Sequence, residues 1–215
     1  MKVTESHIRN MLATIRAYGF RNEDVLAAMH RLPRNLFVPY GTSPEEACGD
    51  HPVRIGDMQT ISQPYTVALM LDLLCLERGC SVLEIGTGSG WNAALIREIV
   101  GPAGRVTSLE ISYSHALEAD SFLSRMNIDV EVYHCDGSHG FPDNAPYDRI
   151  IATCAVPAIC HAWEEQLAER GIIVAPVGTG TQKMIRAERT GHGFIIQNHG
   201  IFSFVPMQRE AGPRE

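Results

Sequence analysis

The stretch "VLEIGTGSGWNAALI", residues 82–96, decides the fold. A short apolar run leads into a turn that carries Gly86, Gly88 and Gly90, and a helical pattern follows from about Trp91. Glycine permits a tight turn and lets the backbone approach a ligand closely. The spacing is G-x-G-x-G, whereas a dinucleotide fingerprint needs glycine at position 91 and a P-loop needs a lysine after the glycines. The turn therefore predicts a cofactor site that is neither of these two.

Two acidic residues follow the next two strand-like segments. Glu110 ends "RVTSLE" (105–110), and Asp136 ends "DVEVYHCD" (129–136). Adjacent parallel strands would bring both carboxylates to the edge of the sheet that holds the glycine turn. There Glu110 could accept hydrogen bonds from ribose hydroxyls, and Asp136 from an adenine amine. The structural alternative is that each acid only caps the segment after it; the three features together favour a cofactor site.

The rest of the chain alternates strands and helices. Further strands are predicted at about 147–153 and 171–178, with helices at about 114–126 and 161–167. Such alternation predicts an α/β fold whose mainly parallel sheet carries helices on both faces. Residues 183–207 have the pattern of strands joined by a glycine-rich turn, which predicts an antiparallel C-terminal edge.

The N-terminal third is helical and rich in loops. Helices are predicted over 6–18 with Ser6 as cap, from Asn22 to a stop at Pro33, and over about 64–76. The stretch between Pro39 and Pro64 is predicted to be a loop. We expect a single domain, 1–215, made of an N-terminal helical and loop cap (1–79) and a cofactor-binding α/β core (80–215).

Composition excludes several classes of function. The chain has 215 residues, is 45% hydrophobic and 20% charged, and carries a net charge of −7. It has no basic stripe, which argues against a nucleic-acid partner. It also has no apolar run of roughly 18 residues, which argues against a membrane span. The N-terminus lacks the apolar run of a signal peptide, so we expect a cytoplasmic protein. The six cysteines form neither a C-x-x-C pair nor a zinc pattern, so we expect no metal.

Six segments carry a family resemblance. They are "LPRNLFVP" (32–39), "GDMQTISQP" (56–64), "EIGTGSGWNAA" (84–94), "APYDRIIAT" (145–153), "EQLAERGIIVAPVG" (165–178) and "FVPM" (204–207). The glycine turn and the two acids resemble the class I methyltransferases that use S-adenosylmethionine. All six segments in order closely resemble the protein-L-isoaspartate O-methyltransferase family, over nearly the whole chain. The resemblance implies a class I, Rossmann-like fold and a monomer. It also implies methyl transfer from S-adenosyl-L-methionine to the free carboxylate of L-isoaspartyl residues in damaged proteins or peptides, which leads to succinimide formation and repair.

The resemblance also implies roles for individual residues. Ser62 matches the family's active-site residue and would contact the substrate, and Val205 matches a segment that holds the substrate peptide's backbone. The residues implied for the cofactor are Gln59, Thr60, Ile61, Tyr65, Gly86, Thr87, Gly88, Ser89, Gly90, Glu110, Asp136 and Gly137. The alternative for Ser62 is a helix cap before Pro64.

The chain departs from the family pattern at several positions. Met58 replaces a usual glycine, Arg54 a common proline and Cys48 a common tyrosine. Trp163 and Glu164 stand in the substrate-side helix in place of smaller or apolar residues. We expect these changes on the acceptor side of the site. One alternative function is therefore methylation of aspartate in a dedicated natural-product peptide. Such relatives often have a long C-terminal extension, whereas eight residues follow Met207 here. Another alternative is a non-catalytic protein that binds S-adenosylmethionine.

Overall fold

The computed structural model describes residues 2–209. Its helices are α1 (Glu5–Ala17), α2 (Glu23–Arg31), α3 (Pro44–Cys48), α4 (Pro64–Leu73), α5 (Trp91–Val100), α6 (Tyr113–Arg125) and α7 (His161–Gln166). Its strands are β1 (Val53–Gly56), β2 (Gln59–Ile61), β3 (Ser81–Ile85), β4 (Arg105–Glu110), β5 (Glu131–His134), β6 (Tyr147–Ala152), β7 (Leu167–Val177), β8 (Gln182–Thr190) and β9 (Gly193–Phe202).

Within residues 2–209, seven strands form one sheet in the order β5-β4-β3-β6-β7-β8-β9. Strands β5 to β7 run parallel, and β8 and β9 add an antiparallel edge. The predicted class I fold is therefore confirmed, including its antiparallel C-terminal edge. Because β3 lies between β4 and β6, the strand order reverses there, and a crevice opens at the carboxyl end of β3.

The central strands are buried on both faces because they are almost continuously apolar. Val82, Leu83 and Ile85 of β3 are no more than 2% exposed. They divide between two hydrophobic clusters, one on each face of the sheet. This rigid centre holds the glycine turn, which follows β3 directly.

The N-terminal helices pack into one of these clusters. Met11 and Ile15 of α1 and Met29 of α2 are buried with residues of α4 and α5. Asn22 caps α2 as predicted, accepting a hydrogen bond from the Val25 N–H at 3.2 Å. The predicted cap of α1 was wrong by two residues: Thr4 occupies the N-cap position rather than Ser6.

The stretch predicted as a loop between Pro39 and Pro64 contains α3 and a hairpin, β1–β2. The hairpin turn has left-handed backbone at Asp57 (φ +43°) and Met58 (φ +58°). Such turns normally carry Asn-Gly or Asp-Gly, and the missing glycine hid the hairpin in the sequence. Across residues 2–209, the structure has no helix long and apolar enough to pass through a lipid bilayer.

Candidate active site

Three cavities meet at the carboxyl edge of the sheet. One of them, of about 380 Å³, is named here the cofactor cavity; it lies between the glycine turn, Glu110, Gly137 and the β1–β2 hairpin. A second, of about 560 Å³, is the acceptor cleft, bounded by Ser62, Tyr65 and residues 201–205. A chamber of about 50 Å³ lies between them. Thr60 and Thr153 line all three, so the cavities adjoin along this pair.

The glycine turn has the geometry that its spacing predicts. Gly86, Gly88 and Gly90 have φ values of +96°, +51° and +80°, in the left-handed region that favours glycine. A Cβ at Gly86 would collide with the Thr153 hydroxyl, which donates a hydrogen bond to the Gly86 carbonyl at 2.6 Å. The turn therefore presents bare backbone to the cofactor cavity, while Thr87 and Ser89 line the chamber.

Glu110 is a buried acid that lines the cofactor cavity. Its side chain is 2% exposed and accepts hydrogen bonds from Gly88 N (2.8 Å), Ser112 N (2.9 Å) and Gln59 Nε2 (3.5 Å). A carboxylate offers about four lone-pair sites, so it can also accept from ligand hydroxyls. Glu110 thus links the glycine turn to the hairpin that covers the cavity.

Glu84 is a second buried acid, which sequence reasoning left without a role. It is 0% exposed and accepts hydrogen bonds from Asn92 Nδ2 (2.8 Å) and from the Ser108 hydroxyl. Burial raises its pKa to about 7, against these two hydrogen bonds, which lower it. Its signal in the sequence is a carboxylate inside an otherwise apolar strand.

Asp136 caps the turn after it, accepting a hydrogen bond from Ser138 N at 2.8 Å. Its predicted contact with the cofactor stays a prediction. Gly137 lines the cofactor cavity. Beneath Gly137 lies Trp163, fully buried, whose Nε1 donates to the Gly137 carbonyl at 2.8 Å. The expectation that Trp163 lies on the acceptor side was therefore wrong, because it supports the cofactor cavity. Met58 also lines that cavity and is 88% exposed.

Ser62 lies where the chamber meets the acceptor cleft and lines both. The cap alternative for Ser62 is wrong: Gln63 is the N-cap residue of α4, and Asp50 accepts from Tyr65 N at 2.8 Å. Gln59 lines the cofactor cavity, and Ile61 the chamber. Val205 lines both the cofactor cavity and the cleft.

Tyr65 lines the acceptor cleft, where its ring packs edge-on against Tyr18 at 5.0 Å. Its predicted contact with the cofactor stays a prediction.

Of the remaining departures from the family pattern, Arg54 is exposed in β1 opposite Thr60, and Cys48 is buried at the end of α3. Among the residues that the structure describes, no charged side chain lines the acceptor cleft.

Comparison with known proteins decides the family. The family model for protein-L-isoaspartate(D-aspartate) O-methyltransferase matches residues 6–212. The chain belongs to this family. Among its relatives, protein-L-isoaspartate O-methyltransferase 2 of Archaeoglobus fulgidus is 44% identical over 190 residues, covering 87% of this chain and 86% of the relative. The protein-L-isoaspartate O-methyltransferase of Methanococcoides burtonii is 40% identical, over 92% of this chain and 97% of that one.

Solved structures agree with this family assignment. A protein-L-isoaspartate O-methyltransferase superimposes with a TM-score of 0.85 at 26% identity, over 93% of this chain; the match spans 65% of that chain's length. A structure from Plasmodium falciparum, in complex with S-adenosyl-L-homocysteine, superimposes with a TM-score of 0.82 over 98% of this chain and 100% of that one. Its 19% identity supports the fold alone.

The residues around the cofactor cavity fit a nucleoside that carries an amino acid. The volume of about 380 Å³ lies within the range of small-ligand sites, roughly 300–1,000 Å³. Glu110 is a buried acceptor for hydroxyls, and the glycine turn presents bare backbone beside it. Residues 2–209 contain no group of three or more His, Cys, Asp or Glu side chains that could hold a metal ion.

Proposed function

We propose that this protein transfers a methyl group from S-adenosyl-L-methionine to the free carboxylate of L-isoaspartyl residues, in the cleft where Ser62 lies. The observation that supports this most is the junction of the three cavities along Thr60 and Thr153. It gives a cofactor and a peptide a shared boundary, beside which Ser62 lines both the chamber and the cleft. The family of the chain agrees with this reaction, and the dedicated-peptide alternative is not favoured.

The residues that would hold the cofactor are those around the cofactor cavity. Gly86 and Gly88 would present backbone to it, Glu110 would accept from its ribose hydroxyls, and Gly137 would lie at its adenine end. When bound, S-adenosyl-L-methionine supplies an electrophilic methyl group on a sulfonium sulfur. The hairpin, through Gln59 and Thr60, would cover the cavity and limit water around the reacting atoms.

The acceptor needs little activation by side chains. A carboxyl group of aspartyl type has a pKa near 4, so the isoaspartyl group is already an anion, and a nucleophile, at pH 7. Within residues 2–209, no cationic side chain lines the cleft to hold this anion, and hydroxyl and amide groups are available to orient it. We infer that Ser62 donates a hydrogen bond to one carboxylate oxygen and leaves the other free to attack. The enzyme then works mainly by proximity and orientation.

The product is the methyl ester of the isoaspartyl residue's formerly free carboxyl group. The neighbouring backbone amide nitrogen attacks the ester carbonyl, methanol leaves, and a succinimide forms. Water opens the succinimide at either carbonyl, which returns a part of it as normal aspartate. Repeated cycles convert the damaged linkage, and this is the repair that the family's reaction performs.

Transfer of a radiolabelled methyl group to two matched short peptides tests the proposal. One peptide carries isoaspartate and the other aspartate at the same position. The proposal expects label in the isoaspartyl peptide. Label in neither peptide, with binding of S-adenosyl-L-methionine shown by calorimetry, would contradict it.

The monomeric state, the cytoplasmic location and the division into cap and core stay predictions. The chain beyond Arg209, on which the dedicated-peptide alternative depended, lies outside the described residues.

A further inference from the structure

We propose that Arg34 and Asp50 are positioning residues, which hold both sides of Ser62 in place from outside the cleft. The inference rests on the proposed function, since it assigns the pair to the alignment of the acceptor. Neither residue is among those that line the cofactor cavity, the chamber or the cleft. Both therefore act through the backbone and side chains that they hold.

Arg34 is a fully buried arginine, at 0% exposure. Its guanidinium donates to backbone carbonyls and joins two separate segments. Nη2 donates to His51 O (2.8 Å) and to Ile61 O (3.0 Å), and Nη1 donates to Gly49 O (3.2 Å) and to Ala47 O (3.4 Å). Burial lowers its pKa to about 10, which the charge of Asp50 opposes. Burial of a cation costs free energy of folding. We therefore infer that Arg34 is needed to hold these carbonyls in place.

Asp50 lies between Gly49 and His51, two of the four residues whose carbonyls accept hydrogen bonds from Arg34. Its carboxylate accepts from Tyr65 N (2.8 Å) and from Gln63 Nε2 (3.4 Å). Gln63, the N-cap residue of α4, makes no capping hydrogen bond with its own side chain. Asp50 thus supplies the acceptor that the first turn of α4 needs, from a distant part of the chain.

Ser62 is held from both sides by this arrangement. The carbonyl of Ile61, just before it, is bound by Arg34, and the side chain of Gln63, just after it, is bound by Asp50. Arg34 and Asp50 are also linked to one another through the segment 49–51, because Arg34 binds the carbonyls of Gly49 and His51, and Asp50 lies between them. We call Arg34, Asp50 and the segment 49–51 the brace. A displacement of about 1 Å at a reacting group can cost about 100-fold in rate, so we expect the brace to affect turnover.

The brace also contacts the cofactor side. The Arg34 guanidinium lies over the ring of Trp91, 5.9 Å from its centroid. Trp91 begins α5 immediately after the glycine turn and lines the chamber. Arg34 therefore places the acceptor loop and the cofactor turn relative to one another.

The test compares Arg34→Lys with Arg31→Lys, and Asp50→Ala with Asp50→Asn. Lysine keeps the charge, but a single ammonium cannot replace a planar fork that joins two segments. Arg31 is an exposed arginine paired with Glu98 (2.6 Å) and serves as the control. Asparagine keeps an oxygen that can accept from Tyr65 N, whereas alanine does not.

Three quantities are measured on each full-length variant: kcat and KM for an isoaspartyl peptide, the Kd of S-adenosyl-L-methionine by calorimetry, and amide hydrogen exchange over residues 61–65. Arg34→Lys and Asp50→Ala are expected to lower kcat by about 10- to 100-fold. The cofactor Kd should stay within about two-fold, a change worth about 0.4 kcal/mol. Exchange should become faster at 61–65 and stay unchanged in β3 and β4. Arg31→Lys should remain near wild type, and Asp50→Asn, which keeps the acceptor for Tyr65 N but not the one for Gln63 Nε2, should lie between Asp50→Ala and wild type.

Unchanged kcat and unchanged protection of 61–65 in Arg34→Lys and Asp50→Ala would overturn the proposal. So would a fall in cofactor affinity that matches the fall in kcat, with faster exchange throughout the sheet, because that pattern reports general destabilisation. If Arg34→Lys does not fold, the two Asp50 variants decide. If wild type methylates no isoaspartyl peptide, the proposed function fails, while the exchange data still test the brace.

Discussion

Replacement of Glu84 by glutamine is expected to stabilise the protein, and to do so more at high pH than at low pH. The carboxyl group is fully buried, and its pKa is raised from 4.5 to about 7. A raised carboxyl pKa means that the folded state retains a proton which the unfolded state has already released. Glu84 therefore does not lower the free energy of unfolding below pH 4.5. It lowers that free energy progressively as the pH rises from 4.5 to 7, and by the full amount above pH 7.

The magnitude follows from the shift. A rise of about 2.5 pKa units corresponds to about 3 kcal/mol once the group ionises in the folded protein. Integrated over the two titrations, the penalty is about 1 kcal/mol at pH 5 and about 3 kcal/mol at pH 8. Glutamine avoids the penalty because it does not ionise. It also preserves the contacts: its oxygen can accept from Asn92, and its amide can donate to Ser108, whose hydroxyl lies 2.6 Å from that of Thr87.

Urea unfolding of wild type and Glu84→Gln at pH 5 and pH 8 measures the effect. The variant should be more stable by about 1 kcal/mol at pH 5 and about 3 kcal/mol at pH 8, or roughly 6 to 12 °C in Tm at pH 8. Glu169→Gln, an exposed position on β7, is the matched control and should change neither value. The reasoning is refuted if the difference between Glu84→Gln and wild type is the same at both pH values.

Three further substitutions test the site. Ser62→Ala is expected to lower kcat for the isoaspartyl peptide by about 10- to 100-fold, since a hydrogen bond to a charged group contributes about 1.5–3 kcal/mol; an unaltered kcat in steady-state assays contradicts this role. Glu110→Gln leaves either Gly88 N or Ser112 N facing an amide donor, and calorimetry should show at least 10-fold weaker binding of S-adenosyl-L-methionine. Equal affinity for wild type and variant would show that the carboxylate is not needed. Trp163→Phe removes the donor to the Gly137 carbonyl, and urea unfolding should show a loss of about 1–3 kcal/mol; no loss would mean that this hydrogen bond contributes nothing.

The cofactor half of the site could be predicted from sequence because its signals are local. Strand, glycine turn and helix are contiguous over residues 81–100, and Glu110 ends the neighbouring strand. The predicted start of α5 at Trp91 and the predicted bounds of β4 (105–110) agree with the structure, since each is set by an apolar run beside glycines or a charge.

The acceptor half could not be predicted in the same way, because its organisation depends on contacts between distant residues. The β1–β2 hairpin lacks glycine at its turn, and Met58 takes a left-handed φ of +58° that its side chain disfavours. The Arg34 brace joins residues up to 27 positions apart. Trp163 lies 26 positions from the Gly137 carbonyl that it supports, and no periodicity in the sequence records that pairing.

Conversion of an isoaspartyl peptide into its aspartyl form tests the central claim most directly. The isoaspartyl peptide is incubated with the enzyme and S-adenosyl-L-methionine through repeated cycles, and the two forms are separated by liquid chromatography and quantified by mass spectrometry. We expect the aspartyl form to accumulate at the expense of the isoaspartyl form, and only while S-adenosyl-L-methionine is present. An isoaspartyl peptide that remains unconverted after prolonged incubation, with the cofactor bound and the protein folded, would contradict it.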